Sequence, residues 1–127
     1  MASPISVKDT LASFTETWSP HLIGTMNDTH VKIAKIDGEF IWHSHPNSDE
    51  LFYVLAGKMT LQLEPISSNS ATEVHLVEGD VYTVPRGQRH RPVGYNAHIM
   101  MLEKEGTVNT GDVEDSERTR IPKDVRI

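Results

Sequence analysis

The feature that most constrains this chain is a succession of short β-type runs, each cut off after a few residues by turn formers. Residues 30–36 (HVKIAKI) alternate apolar and polar, and Asp37-Gly38 reads as a tight hairpin turn into a further strand over 39–44. Residues 51–56 (LFYVLA) are continuously apolar, and Gly57-Lys58 reads as a turn into 59–64 (MTLQLE), which alternates cleanly. The polar stretch 65–72 (PISSNSAT) has the composition of a hairpin loop. Strands are then expected at 73–77, at 81–84 after the turn Glu78-Gly79-Asp80, at 89–93 and at 98–102. Many short strands separated by Gly and Pro predict an all-β protein, an antiparallel sandwich or barrel. The LFYVLA run is apolar on both faces. One face can fill a barrel, while the other needs cover from a second sheet or a partner subunit, which leads to the expectation of a homodimer.

The ends read differently. Ser6 is placed to cap a short helix carrying Val7, Leu11 and Phe14 on one side. Beyond Gly106 the chain is polar and acidic with weak patterning, as expected of a tail that wraps the surface or frays. With 127 residues, the chain suits one domain: an arm over 1–15, a barrel over 16–105 and a tail over 106–127.

Composition narrows the partners. The net charge of −6 disfavours nucleic acid, whose binding depends on Lys and Arg, and Arg86, Arg89 and Arg91 are too few to reverse this. No apolar run approaches the roughly 20 residues of a membrane-spanning helix. Residues 1–14 lack the pattern of a secretory signal, so a cytoplasmic location is the default expectation. The chain has no cysteine, which removes thiolate metal sites, but it has seven histidines.

Four of the chain's metal-ligating residues have suggestive spacing. His43 and His45 are separated by one residue, so on a strand both imidazoles share a face. Glu50 follows the turn Pro46-Asn47-Ser48-Asp49, and a tight connection would fold it back beside them. His90 lies on a distant strand and joins only if the sheet curls round. Three imidazole nitrogens and a carboxylate would suit one divalent ion of Fe, Mn, Co, Ni, Cu or Zn. Each histidine taken alone also has an ordinary reading as an exposed or core residue.

The glycines and the proline around these residues carry a resemblance. Gly38-x4-His43-x-His45-x4-Glu50-x6-Gly57 resembles the first cupin motif, and Gly79-x5-Pro85-x-Gly87-x2-His90 resembles the second, with residues 58–78 as the spacer. The resemblance covers residues 38–94 closely. Two positions depart from the pattern: four residues rather than five precede His43, and Gly94 stands where an asparagine is common. Both are read as turn positions. The resemblance implies a cupin-like double-stranded β-helix, a conical jelly-roll barrel of two antiparallel sheets, with His43, His45, Glu50 and His90 converging inside it.

By the same period-two argument, Ile41 falls in line with the histidines, Phe52 and Val54 with Glu50, and Gln88 with His90; all are candidate pocket residues. Arg86, at a turn near the expected barrel mouth, could hold a carboxylate or phosphate, and His98 is a further candidate. No catalytic base is visible. A metal with open positions favours an enzyme acting on a small oxygenated molecule, with dioxygenase or isomerase chemistry among the activities of the resembled family. The alternatives are a non-catalytic barrel that binds or senses a small ligand, and a structural metal site.

Overall fold

The computed structural model describes residues 2–65, 67, 72–113 and 116–127. Its elements are α1 (Val7–Ala12), β1 (His21–Met26), β2 (Thr29–Glu39), β3 (Glu50–Leu63), β4 (Glu73–Val77), β5 (Val81–Val84), β6 (His90–Lys104) and β7 (Lys123–Asp124). The expected cap is in place, with Ser6 Oγ accepting from the Asp9 amide at 3.0 Å. The hydrogen-bonded order is β4-β3-β6-β2-β1-β7, and β5 also pairs with β3. One end of β3 is flanked by β5 and the other by β4, while β6 runs along its opposite edge. This is the mostly-β architecture with one short helix that the sequence leads one to expect.

The strands are longer than expected, and the reason is physical. Asp37-Gly38 and Gly57-Lys58 are not hairpin turns: β2 and β3 run straight through them, and β6 joins the two strands expected at 89–93 and 98–102. What lies at these positions is bulged backbone. Register shifts fall between Ile36 and Gly38 in the β2–β6 pair and between Val54 and Lys58 in the β3–β6 pair. Gly38 has φ +82°, Gly57 φ +74° and Asn96, on the strand between them, φ +48°. Three neighbouring strands therefore bulge at one level, and bulges bend strands and increase their twist.

The bulge also switches which face points inward. In β3 the core residues are Phe52 and Val54 before Gly57, but Met59, Leu61 and Leu63 after it. Even numbers give way to odd ones, so an inserted residue lets both halves face the same core. Ala34, Ile36, Leu76, Val84, Ala97, Ile99 and Met101 complete that core. Gly94, expected at a turn, instead sits within β6, where a Cβ would stand 2.6 Å from the Ile36 carbonyl carbon. On the opposite face of β3 and its neighbours, Tyr53, Val77 and Val81 are exposed.

The segment beyond Gly106 is fastened down. Thr110 is fully buried, and β7 pairs in parallel with β1. The loop expected over 65–72 falls mostly outside the described residues. No described helix is long and apolar enough to cross a membrane.

Gly57 and Gly38 provide a test. A Cβ on Gly57 would lie 2.5 Å from the Asn96 carbonyl oxygen and 2.9 Å from Ala97 Cα, whereas one on Gly38 would meet nothing within 4 Å. Gly57→Ala is expected to cost about 3 kcal/mol, from strain plus backbone overlap, and Gly38→Ala about 1 kcal/mol, from strain alone. Urea unfolding midpoints at unchanged m-value will measure both.

Candidate metal centre

Residues 40–49 run alongside 86–92 without forming a regular strand. The Phe40 amide donates to the Pro92 carbonyl at 2.9 Å, and His43 and His90 exchange backbone bonds of 3.0 and 2.8 Å. The Gly87 amide donates to the His45 carbonyl at 2.9 Å. Ser48 Oγ accepts from the Lys104 amide at 2.9 Å, which sets the turn that delivers Glu50 to the start of β3. The expected strand over 39–44 is thus an irregular extended segment with a single bridge, His43 to His90. It still presents both histidines to one side.

His43, His45, Glu50 and His90 are all buried, and one ligand atom from each lies within 4.8 Å of the others. His43 Nδ1 is 2.9 Å from the Ile41 carbonyl oxygen, and His90 Nδ1 is 2.9 Å from that of Gln88. A carbonyl only accepts, so each Nδ1 carries a proton, and Nε2 then keeps a lone pair in the neutral ring and donates in the charged one. Yet His90 Nε2 is 3.3 Å and His45 Nε2 3.2 Å from Glu50 Oε1. Neither ring nitrogen of His45 has an aligned hydrogen-bond partner. With neutral rings, acceptors face one another across this buried site, an arrangement that a cation between them resolves, and the unpartnered His45 ring nitrogens call for one too. The donor set therefore fits a single divalent ion held through Nε2 atoms and a carboxylate.

The electrostatics agree. Burial, reinforced by the nearby His90, pushes His43 down to about 4, so the ring stays neutral and free to ligate. Burial alone would raise the Glu50 carboxyl, but its contacts with His45 and His90 outweigh that and hold it well below the usual carboxylate range.

Beside the four residues is a cavity of about 40 Å³ whose lining includes His43, Glu50, Phe52, Phe40, Trp18 and Glu103. Phe52 lies where the period-two argument placed it. Other candidates do not reach the cavity. Val54 is fully buried in the core, and Ile41 contributes its carbonyl to His43 rather than its side chain to the wall. Gln88 donates to the Glu64 and Arg89 carbonyls on the outer surface, because the chain turns at Gly87 and the strand parity starts only at His90. Arg86 is largely exposed and lies 3.7 Å from Asp49. His98 packs on the outer face near Lys35, Leu55 and α1, since the β6 bulge gives the odd-numbered positions the inward direction. Of the remaining histidines, His21 stacks on Phe14 with centroids 3.8 Å apart, and His75 bonds Thr60 at 2.9 Å.

Sequence reasoning missed Glu103 and Lys32. Both are buried, and Lys32 Nζ donates to Glu103 Oε1 at 2.9 Å. Burial and the adjacent Glu50 carboxylate push Glu103 well above its ordinary value, with Lys32 opposing. The signal was present: Glu103 continues the inward row of Ile99 and Met101, and Lys32 that of Ala34 and Ile36. What was missing was the register that makes them neighbours.

The C-terminal segment braces the ligand loop. The Ser44 amide donates to Asp112 Oδ1 at 2.8 Å, the Asp112 amide to the Ser44 carbonyl at 2.9 Å, and a Cβ on Gly111 would lie 2.1 Å from that carbonyl oxygen.

Comparison with known proteins agrees with this geometry. The sequence profile of the family described as "Cupin domain" matches residues 29–98. YdbB of Bacillus subtilis (strain 168) is 32% identical over 93 residues, 73% of this chain and 78% of that protein. The crystal structure of a cupin-2 domain containing protein from Shewanella frigidimarina NCIMB 400 superposes with a TM-score of 0.71 at 32% identity, covering 80% of this chain and 94% of that one. 3-Hydroxyanthranilate 3,4-dioxygenase 2 of Aspergillus fumigatus is 28% identical over 89 residues, 68% of this chain but only 45% of the enzyme.

Two outcomes follow. A histidine depressed in the folded state binds fewer protons than in the unfolded chain, so its contribution to stability falls as pH drops from 6.5 towards 4. Between those limits, metal-free wild type should lose about 3 kcal/mol relative to metal-free His43→Asn, read from paired urea titrations. Asp112→Ala should weaken metal binding about tenfold with the barrel intact, as measured by competition with a chromogenic chelator.

Proposed function

The chain belongs to the cupin domain family, and from that premise we propose that it is a metal-dependent enzyme acting on a small oxygenated organic molecule, with dioxygenase or isomerase chemistry. The observation that carries this reading is the placement of four buried ligand atoms, within 4.8 Å of one another, against a cavity. A closed structural site would be wrapped on all sides, whereas this one has space next to it where further ligands can bind. When bound there, the metal would supply Lewis acidity and, if it is redox-active iron, a means of using dioxygen.

The protein's own residues do the rest. The carbonyls of Ile41 and Gln88 fix the ring orientation of His43 and His90. Phe52, Phe40 and Trp18 make the cavity largely apolar and keep bulk water from the reacting atoms. At about 40 Å³ the cavity accepts a compact molecule or the chelating end of a larger one. The similarity to 3-hydroxyanthranilate 3,4-dioxygenase 2 favours dioxygenase chemistry on a phenolic compound as the first version to test.

Elemental analysis of the purified protein should find one divalent metal per chain, and His90→Ala should lower its affinity at least about a hundredfold while the β-type circular dichroism is kept. Iron-loaded protein should consume oxygen with catechol or 3-hydroxyanthranilate. Stoichiometric metal with no turnover of either, and no exchange of substrate protons with solvent for a panel of hydroxy-ketones, would replace the enzyme reading with a non-catalytic binding barrel.

A further inference from the structure

The buried Lys32–Glu103 pair has no structural reason to be ionic. Both side chains are about 3% exposed, and an ion pair in such a place recovers little more than its desolvation cost; apolar residues of similar volume often serve stability as well or better. The pair is also incompletely satisfied. Lys32 Nζ uses Glu103 Oε1 and, at 3.3 Å, the Thr107 carbonyl, whereas Glu103 Oε2, fully shielded from solvent, meets no protein donor and has the Glu50 carboxyl as its neighbour. A cation on Glu50 competes for that contact, and a buried carboxyl oxygen left unpaired costs on the order of 1–3 kcal/mol, so it calls for a partner that arrives with the metal-bound molecule.

Its position identifies the partner. Glu103 is directly opposite Glu50 in the β3–β6 register, and both line the same cavity as His43. Among the described lining residues the rest of the wall is mainly apolar: Ala34, Ile36, Phe40, Phe52, Ile99 and Met101. A molecule bound in the cavity beside Glu50 therefore meets one further carboxyl group. Lys32 holds that group by its other oxygen, which pre-orients Oε2.

We propose that Glu103, positioned by Lys32, is the substrate-recognition residue of this site, its Oε2 accepting a hydrogen bond from a hydroxyl group of the metal-bound molecule. The site then takes small hydroxy-bearing oxygen chelators and discriminates against analogues whose hydroxyl is capped. A site built to bond a hydroxyl rejects the capped analogue strongly, because its buried polar atom is left unpaired.

This inference rests on the metal reading above, and the test separates the two. Glycolate and methoxyacetate share a carboxylate and an adjacent oxygen, but only glycolate can donate. Their binding to cobalt-loaded protein is followed by the visible absorption of the ion. Wild type should prefer glycolate by at least about tenfold. Lys32→Met with Glu103→Leu, which removes both charges and keeps apolar volume, should hold cobalt one-to-one and bind the two ligands about equally. Glu103→Ala is the second variant should the double replacement fail to fold, with the same loss of preference expected.

Equal binding by wild type, or a preference that survives in the variants, overturns the proposal. So does loss of cobalt from a folded variant, which would make Glu103 a support for Glu50 instead. Wild type that takes up no cobalt at all overturns the metal reading, and this inference with it.

Discussion

The close approach of β3 to β6 at Gly57 is the contact on which the rest of the structure depends. There the backbone of Asn96 and Ala97 occupies the space a side chain would need, and three adjacent strands bulge at one level. A flat sheet with this sequence would put Phe52 and Val54 on one face and Met59, Leu61 and Leu63 on the other. With the extra residue, both sets enter one core. The same curling allows His90, forty residues from Glu50, to meet it.

The candidate metal centre is defined by what it lacks. His43 and His90 each point a protonated Nδ1 at a backbone carbonyl, so in the neutral rings the Nε2 atoms have lone pairs to offer. Glu50 brings a carboxylate to the same point, where it meets the ring nitrogens of His45 and His90. Such an arrangement is unfavourable until a cation fills it, and the free energy of metal binding becomes part of the stability of the loop. The brace from Ser44 to Asp112 keeps that loop in place from outside.

The cavity beside the centre has two characters. Its aromatic and aliphatic wall excludes water and carries little chemical information, while its two carboxyl groups, Glu50 and Glu103, stand side by side. Lys32 is the only compensation for the second of them that comes from the described side chains. An apolar cup with one polar pole beside a candidate metal site has a small chemical vocabulary, one that suits a small ligand.

The one-dimensional pattern determined a great deal here. Alternation and turn residues established the all-β class and Ser6 announced its helix, because strand periodicity and caps are local properties, while the resemblance to the two cupin motifs implied that Glu50 and the distant His90 join His43 and His45. Tertiary structure decided what glycine meant at positions 38 and 57: a glycine that ends a strand and one that bulges it look alike until a neighbouring strand is present. It also kept Gln88, Arg86, His98, Val54 and Ile41 out of the cavity: the β6 bulge reverses the parity at His98, and the turn at Gly87 carries Arg86 and Gln88 outward. Glu103 and Lys32 were beyond sequence reasoning for the same reason. Their partnership exists only across the β2–β6 register, and register is set by the packing of whole faces rather than by any residue along the chain.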